Sequence, residues 1–136
     1  MGSNPKISIG LNEAKFGIVA PFWMADLMVR TVGHREAEKS LALGTLYSPE
    51  DSARIGLVDE VVDGDVLARA HEIAAKYVSV PAASRFSSKM LVRSKYIKEL
   101  EDRRSSDLQT FTRFVLSPPV QQHLSSYLSI LRTKQK

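Results

Sequence analysis

From Ala83 to the end, the sequence is helical in pattern throughout and is interrupted only by Pro118-Pro119. Phe86, Met90 and Leu91 mark one predicted helix, and Leu108, Phe111, Phe114 and Val115 mark the next. Beyond the prolines, Val120, Leu124, Tyr127, Leu128 and Leu131 set a last apolar stripe at helical spacing. Each of these helices is apolar along one face only. Isolated helices of this kind draw most of their stability from what that face covers. This half of the chain must therefore dock onto something.

The first half is punctuated differently. Lys6-Ile7-Ser8-Ile9-Gly10-Leu11 alternates with a period of two, which predicts a strand carrying Ile7, Ile9 and Leu11 on one face. A short apolar stretch, Phe16–Ala20, leads to Pro21, which suits the first turn of a helix. A helix over Phe22–Val32 closes at Gly33, and a second over Arg35–Leu43 closes at Gly44. Ser48-Pro49-Glu50-Asp51 is a helix start, with Ser48 as N-cap, proline at the first helical position and two acids at the positive end. That helix stops at Gly56. Leu57–Val62 is β-branched and predicts a second strand, and Asp63-Gly64 predicts a turn. Asp65 can cap a helix with apolar positions Leu67, Ala70, Ile73, Ala74 and Tyr77, which Pro81 ends. Met1-Gly2-Ser3 reads as an added leader, so the natural sequence is expected to begin near Asn4, with a front cut short.

The 136 residues, 43% of them apolar, suffice for one compact domain or part of a larger one, and exclude a disordered polymer. The absence of cysteine excludes a disulfide scaffold and a Cys-based zinc site. No apolar run approaches the roughly 18 residues of a membrane span. Charge is unevenly spread: residues 1–83 carry 8 Lys/Arg against 11 Asp/Glu, a net −3, whereas residues 84–136 carry 11 against 4, a net +7. A basic half suits nucleic acid, an anionic surface or an anionic small ligand, or is simply a solvated helix surface. No nucleic-acid motif or aromatic–basic interleaving accompanies it.

Among residues able to carry chemistry, Glu13 stands apart. It follows the predicted strand directly, between Leu11 and the Phe16–Ala20 stretch, where the chain must change direction. Apolar surroundings of that kind tune a carboxylate to serve as a general base near neutral pH. The other acids sit at solvent-facing helix positions. His34, His71 and His123 are too far apart in sequence to suggest a metal site or a triad, and no serine lies in a Gly-x-Ser-x-Gly turn. Lys89, Arg93, Lys95 and Lys98 line one helix, where a phosphate-rich ligand could use them.

GLNEAKFGIVAPFW, followed by VGHREAEKSLALGTLYSPEDSARIGLVDEVV, resembles the later part of crotonase-superfamily (enoyl-CoA hydratase/isomerase) enzymes. The order of parts carries the likeness across roughly Ile7 to Ala70. These parts are a helix ending at Gly33, an Ala/Leu-rich helix ending at Gly44, Ser48–Ala53, and Gly56–Val62. Gly10-Leu11-Asn12-Glu13 and Ile18–Trp23 are most similar to the mitochondrial Δ3,Δ2-enoyl-CoA isomerases. Hydratase members have a Gly-rich turn where this chain reads Ala20-Pro21-Phe22-Trp23.

The resemblance implies an α/β fold of the crotonase type, mostly helical in this chain because the ββα spiral lies upstream. Residues 1–65 would be the last part of the spiral core, with the base. Residues 66–136 would be a helical region that covers the acyl-CoA and builds a homotrimer. Glu13 would move a proton from C2 to C4 of a 3-enoyl-CoA in fatty-acid β-oxidation, needing no metal and no cofactor, since coenzyme A is part of the substrate. Phe16, Phe22 and Trp23 would surround Glu13 or the acyl chain, and Lys89 would help hold the coenzyme A phosphates. The family's two backbone N–H groups that hold the thioester oxygen belong to the front half, so this chain alone is expected to be inactive and to self-associate. Location in the mitochondrial matrix is implied by likeness only; the chain ends Lys134-Gln135-Lys136 and not in a Ser-Lys-Leu address. A hydratase-like or inactive crotonase relative, and a non-enzymatic helical interaction domain, stand as alternatives.

Overall fold

The structure, a computed structural model, describes residues 1–134. The end of the expected second region, residues 135 and 136, lies outside them. A single 3₁₀ turn, Glu13–Phe16, precedes the helices α1 (Phe22–Val32), α2 (His34–Leu43), α3 (Pro49–Arg54), α4 (Val66–Val78), α5 (Ala82–Val115) and α6 (Pro118–Lys134).

The short helices start and stop where the sequence predicts. Ser48 accepts a hydrogen bond from the Asp51 N–H at 3.1 Å, with Pro49 at the first helical position. Asp65 accepts from the Leu67 and Ala68 N–H groups at 2.9 and 3.0 Å. Gly44 ends α2 in the left-handed conformation, at φ 56° and ψ 49°. Gly33 joins α1 to α2 differently: at φ 83° and ψ 158° it lets α2 begin one residue later.

Two expectations are overturned. Among the described residues neither 6–11 nor 57–62 forms a strand. Each keeps one isolated bridge, Ile9 to Tyr47 antiparallel and Gly2 to Val62 parallel. A strand needs a partner along its whole length, and these segments find one for a single residue pair. The helical pattern after Ala83 is also not split in two. α5 runs unbroken for 34 residues, about 50 Å at 1.5 Å per residue. Between Leu91 and Leu108 there is no glycine or proline, Val92, Tyr96, Ile97 and Leu100 keep apolar side chains in the run, and Lys98 pairs with Asp102 at 2.9 Å.

Met1–Ser3 are tied into the fold by hydrogen bonds. The Val62 N–H donates to the Met1 carbonyl at 2.8 Å, the Ser3 N–H donates to the Val62 carbonyl at 3.1 Å, and the Met1 amine donates to the Glu60 carbonyl at 2.8 Å. These bonds tie residues 1–3 to the segment that leaves α3.

The main core is small and lies in the first half, and Val120 of α6 is buried as well. Met28 from α1, Ala37 from α2 and Tyr47 are buried, with Leu11, Val29, Val32, Ile55 and Leu57 packed around them. The Tyr47 hydroxyl donates to Glu36 Oε1 at 2.7 Å. Burial pushes the Tyr47 phenol above its ordinary pKa, while Tyr47's hydrogen bond holds the Glu36 carboxyl below the carboxylate range. By contrast, α4 and α5 contain no buried residue. α5 touches the core region at two places on α1. At one, Asp107 accepts from the Phe22 N–H at 3.0 Å and the Arg103 guanidinium lies 3.4 Å from the centre of the Phe22 ring. At the other, Arg30 reaches Glu99 and covers the Tyr96 ring at 4.4 Å. The order of these contacts makes α5 antiparallel to α1.

Candidate functional site

Glu13 opens the 3₁₀ turn that reverses the chain between Leu11 and Ile18. Two glycines fix where this turn sits. A Cβ on Gly10 would stand 2.2 Å from the Thr45 carbonyl oxygen, so only glycine lets the Ile9–Tyr47 bridge form. A Cβ on Gly44 would stand 2.9 Å from Lys15 Cγ and 3.1 Å from the Asn12 carbonyl oxygen, at a positive φ as well. The Glu13 turn is thus pressed against the end of α2 by backbone-to-backbone contact. From the other side α6 leans on it, with the Phe16 and Tyr127 rings 4.2 Å apart and His123 close to Gly17.

Glu13 lines a recess of about 310 Å³ together with Ala14, Val19, Ala20, Ala25, Leu41 and Ala42. Its Oε2 is shut off from solvent and has no hydrogen-bond partner among the described residues. A buried carboxylate oxygen without a donor costs free energy and is rare in folded proteins. What it offers is an oxygen with unused lone pairs on a residue that lines an apolar recess, a chemistry suited to accepting a proton. Among the described residues no cluster of three or more His, Asp or Glu side chains could hold a metal ion, and no helix is long and apolar enough to cross a membrane.

The residues expected to surround Glu13 are not brought into its recess. Phe22 lines a neighbouring recess of about 290 Å³ with Val19, Ala20, Pro21, Thr110, Phe111 and Phe114. Its backbone N–H and ring are held by Asp107 and Arg103. Trp23 is 43% exposed and faces a third recess, with Leu11, Leu27 and Leu57. Phe16 turns towards α6 and Tyr127. The reason is periodicity: Phe22 and Trp23 are consecutive on α1 and point roughly 100° apart. Lys89 is exposed on α5, in the broad groove between α4 and α5 that Arg85 and Arg93 also line.

Reading the sequence overlooked the two clamping glycines, which it took for turns and caps, and the role of Asp107. A hint lay in Pro21, whose side chain cannot cap α1, so a donor-satisfying acid had to come from elsewhere. Nothing in the sequence identified Asp107 as that acid.

The sequence pattern of the enoyl-CoA hydratase/isomerase family matches residues 1–134. Enoyl-CoA delta isomerase 1, mitochondrial, of Mus musculus is 44% identical over 136 residues, covering 99% of this chain and 47% of its own length. The protein of the same name from Homo sapiens is 35% identical over 136 residues, covering 99% of this chain and 45% of its own. The crystal structure of human mitochondrial delta3-delta2-enoyl-CoA isomerase superposes with a TM-score of 0.94 at 35% identity, over 100% of this chain and 53% of that one. The chain therefore spans about half the length of the relatives it matches. The match takes in Met1–Ser3. The crotonase-type fold inferred from the motifs is found, as its helical later part.

Proposed function

Since this chain belongs to the enoyl-CoA hydratase/isomerase family, we propose that it carries the proton-transfer residue of a Δ3,Δ2-enoyl-CoA isomerase of fatty-acid β-oxidation. Glu13 is the base. Its Oε2 removes a proton from C2 of a 3-enoyl-CoA thioester, the electrons move towards the thioester oxygen, and the same carboxyl returns a proton at C4. The double bond then lies between C2 and C3, conjugated with the carbonyl. The observation that carries this reading is the buried, unpartnered Oε2 of Glu13, a residue that lines an apolar recess.

The enolate formed on the way needs donors at the thioester oxygen. In the family these are two backbone N–H groups in the half of the fold that this chain does not match. The chain by itself is accordingly inactive, and the complete protein works in the mitochondrial matrix as a homotrimer. In this reading residues 1–65 supply the base, while residues 66–136 cover the acyl-CoA and join subunits, with Lys89 and its basic neighbours facing the coenzyme A phosphates. The exposed apolar residues of α4 and α5, among them Val78, Phe86, Leu91 and Val92, support a covered role for this region, since faces of that size rarely stay open to water.

The test is a hybrid protein in which this chain replaces the matching half of the mouse relative. Conversion of 3-enoyl-CoA to 2-trans-enoyl-CoA is expected with Glu13, and a loss of about 10³-fold with Glu13→Gln, general-base catalysis being worth that order. Binding of acyl-CoA should survive the substitution. Hydratase activity in place of isomerisation would favour the hydratase-like alternative.

A further inference from the structure

The stretch that carries Glu13 has little of its own to hold it. Its 3₁₀ turn is four residues long and buries none of them. The turn is closed by bonds at the long end of the normal range, 3.2 Å from the Gly17 N–H to the Ala14 carbonyl and 3.2 Å from the Ile18 N–H to the Glu13 carbonyl. Residues 18–21, which lead on to α1, belong to no helix or strand. Yet the Glu13 Oε2 is shut off from solvent. A carboxylate on so weak a turn keeps a fixed position only when its neighbours press the turn into place. The end of α2 does this from one side. From the other, the C-terminal helices grip the stretch at both ends. α6 meets its start: the Tyr127 ring lies 4.2 Å from the Phe16 ring, and the His123 ring stands 3.0 Å from where a Cβ on Gly17 would be. α5 meets its end, where Asp107 accepts from the Phe22 N–H at 3.0 Å. Between the two grips, Val19 and Ala20 form walls of the Glu13 recess, which no residue of α5 or α6 lines.

We propose that Tyr127 of α6 and Asp107 of α5 are positioning residues for proton transfer, fixing residues 13–22 from both ends and so holding the Glu13 carboxylate where it meets the proton. This rests on the reading of Glu13 as the base. Both residues act through the stretch they hold, since neither reaches the Glu13 recess. The C-terminal helices thereby set the rate of the chemical step from 85 residues and more along the chain. A misplacement of about 1 Å at a reacting group can cost about 10²-fold in rate, so a ring contact and a helix-end hydrogen bond remote from the carboxylate are enough to matter.

The experiment measures isomerisation of 3-enoyl-CoA by the hybrid protein and amide exchange in the 136-residue chain. Tyr127→Ala and Asp107→Ala should each lower kcat about tenfold or more, with KM within about threefold of wild type. Tyr127→Phe keeps the ring and Asp107→Asn keeps an acceptor oxygen, so each should bring kcat back to within about threefold of wild type. In the chain itself, exchange at residues 14–18 should speed up in Tyr127→Ala and stay slow in Tyr127→Phe. If Tyr127→Ala does not fold, Phe16→Ala removes the same contact from its other side. Unchanged kcat in either folded alanine variant, or a loss that the conservative variant does not relieve, overturns the proposal. A rise in KM at constant kcat also overturns it, because it puts these residues against the substrate. Glu13→Gln in the same hybrid separates the two readings. Full activity in Glu13→Gln removes the base, whereas an inactive Glu13→Gln beside fully active Tyr127→Ala and Asp107→Ala removes only the positioning.

Discussion

The two halves of this chain are stabilised in opposite ways. Residues 1–62 fold around Met28, Ala37 and Tyr47, with Pro49, Ser40 and Ser52 almost fully enclosed. α4 and α5 together bury no residue, and Leu91 and Val92 are 84% and 81% exposed. α5 is attached to α1 through a helix-end hydrogen bond, two cation–ring contacts and the Arg30–Glu99 ion pair and not through a core. The base sits in the half that holds the main core, on a turn that α6 also supports. α4 and α5 present the apolar face that invites an acyl chain, another subunit or the remainder of a larger fold. The difference locates rigidity where proton transfer needs it and leaves the covering surface open to partners.

The largest effect that could break this contrast is in the core. Met28→Ala removes a 4% exposed side chain from the cluster and should cost about 3 kcal/mol in urea unfolding. A cost below about 1 kcal/mol would mean the front half is loosely packed. Next comes Gly44→Ala, which forces a side chain into φ 56° and against Asn12 and Lys15. Its expected cost is about 2 kcal/mol, with the Glu13 turn displaced, which amide exchange of residues 13–18 would report.

Tyr47 gives a smaller, pH-dependent effect. Its phenol titrates higher when folded, so the stability it contributes is complete below its unfolded pKa of about 10 and is lost as pH rises through the folded value. Melting temperature measured across that alkaline range should fall more steeply for wild type than for Tyr47→Phe. Equal slopes would show that Tyr47 is not buried as described. The smallest effect is Leu91→Ala on α5, expected within about 0.5 kcal/mol for the isolated chain. A much larger loss would reveal that α5 is already covered in solution, as it would be in a self-associated state.

How much of this could be read in advance follows the same division. Helix ends governed by local chemistry, such as Ser48-Pro49, Asp65 and Gly44, were legible because each depends on a few neighbouring residues. Glu13 was legible as a candidate because it lies between apolar stretches at a change of direction. The strands were misread: period-two alternation reports which face would be buried, but pairing depends on a partner that sequence does not reveal. α5 is a single helix because Tyr96, Ile97 and Leu100 continue the apolar pattern between Leu91 and Leu108 and Lys98 pairs with Asp102, so the apolar marker residues alone do not show its length. Where Phe22 and Phe16 point depends on tertiary contacts with Asp107, Arg103 and Tyr127, at separations of 80 residues and more.

The central claim is that one unpartnered carboxylate oxygen takes the proton. It is tested most directly in the hybrid protein by following loss of deuterium from C2 of a labelled 3-enoyl-CoA. The account predicts loss of deuterium from C2 with Glu13, whether to C4 or to solvent, and a rate about 10³-fold lower with Glu13→Gln, with acyl-CoA still bound. Loss from C2 at the wild-type rate in the Glu13→Gln protein would contradict it.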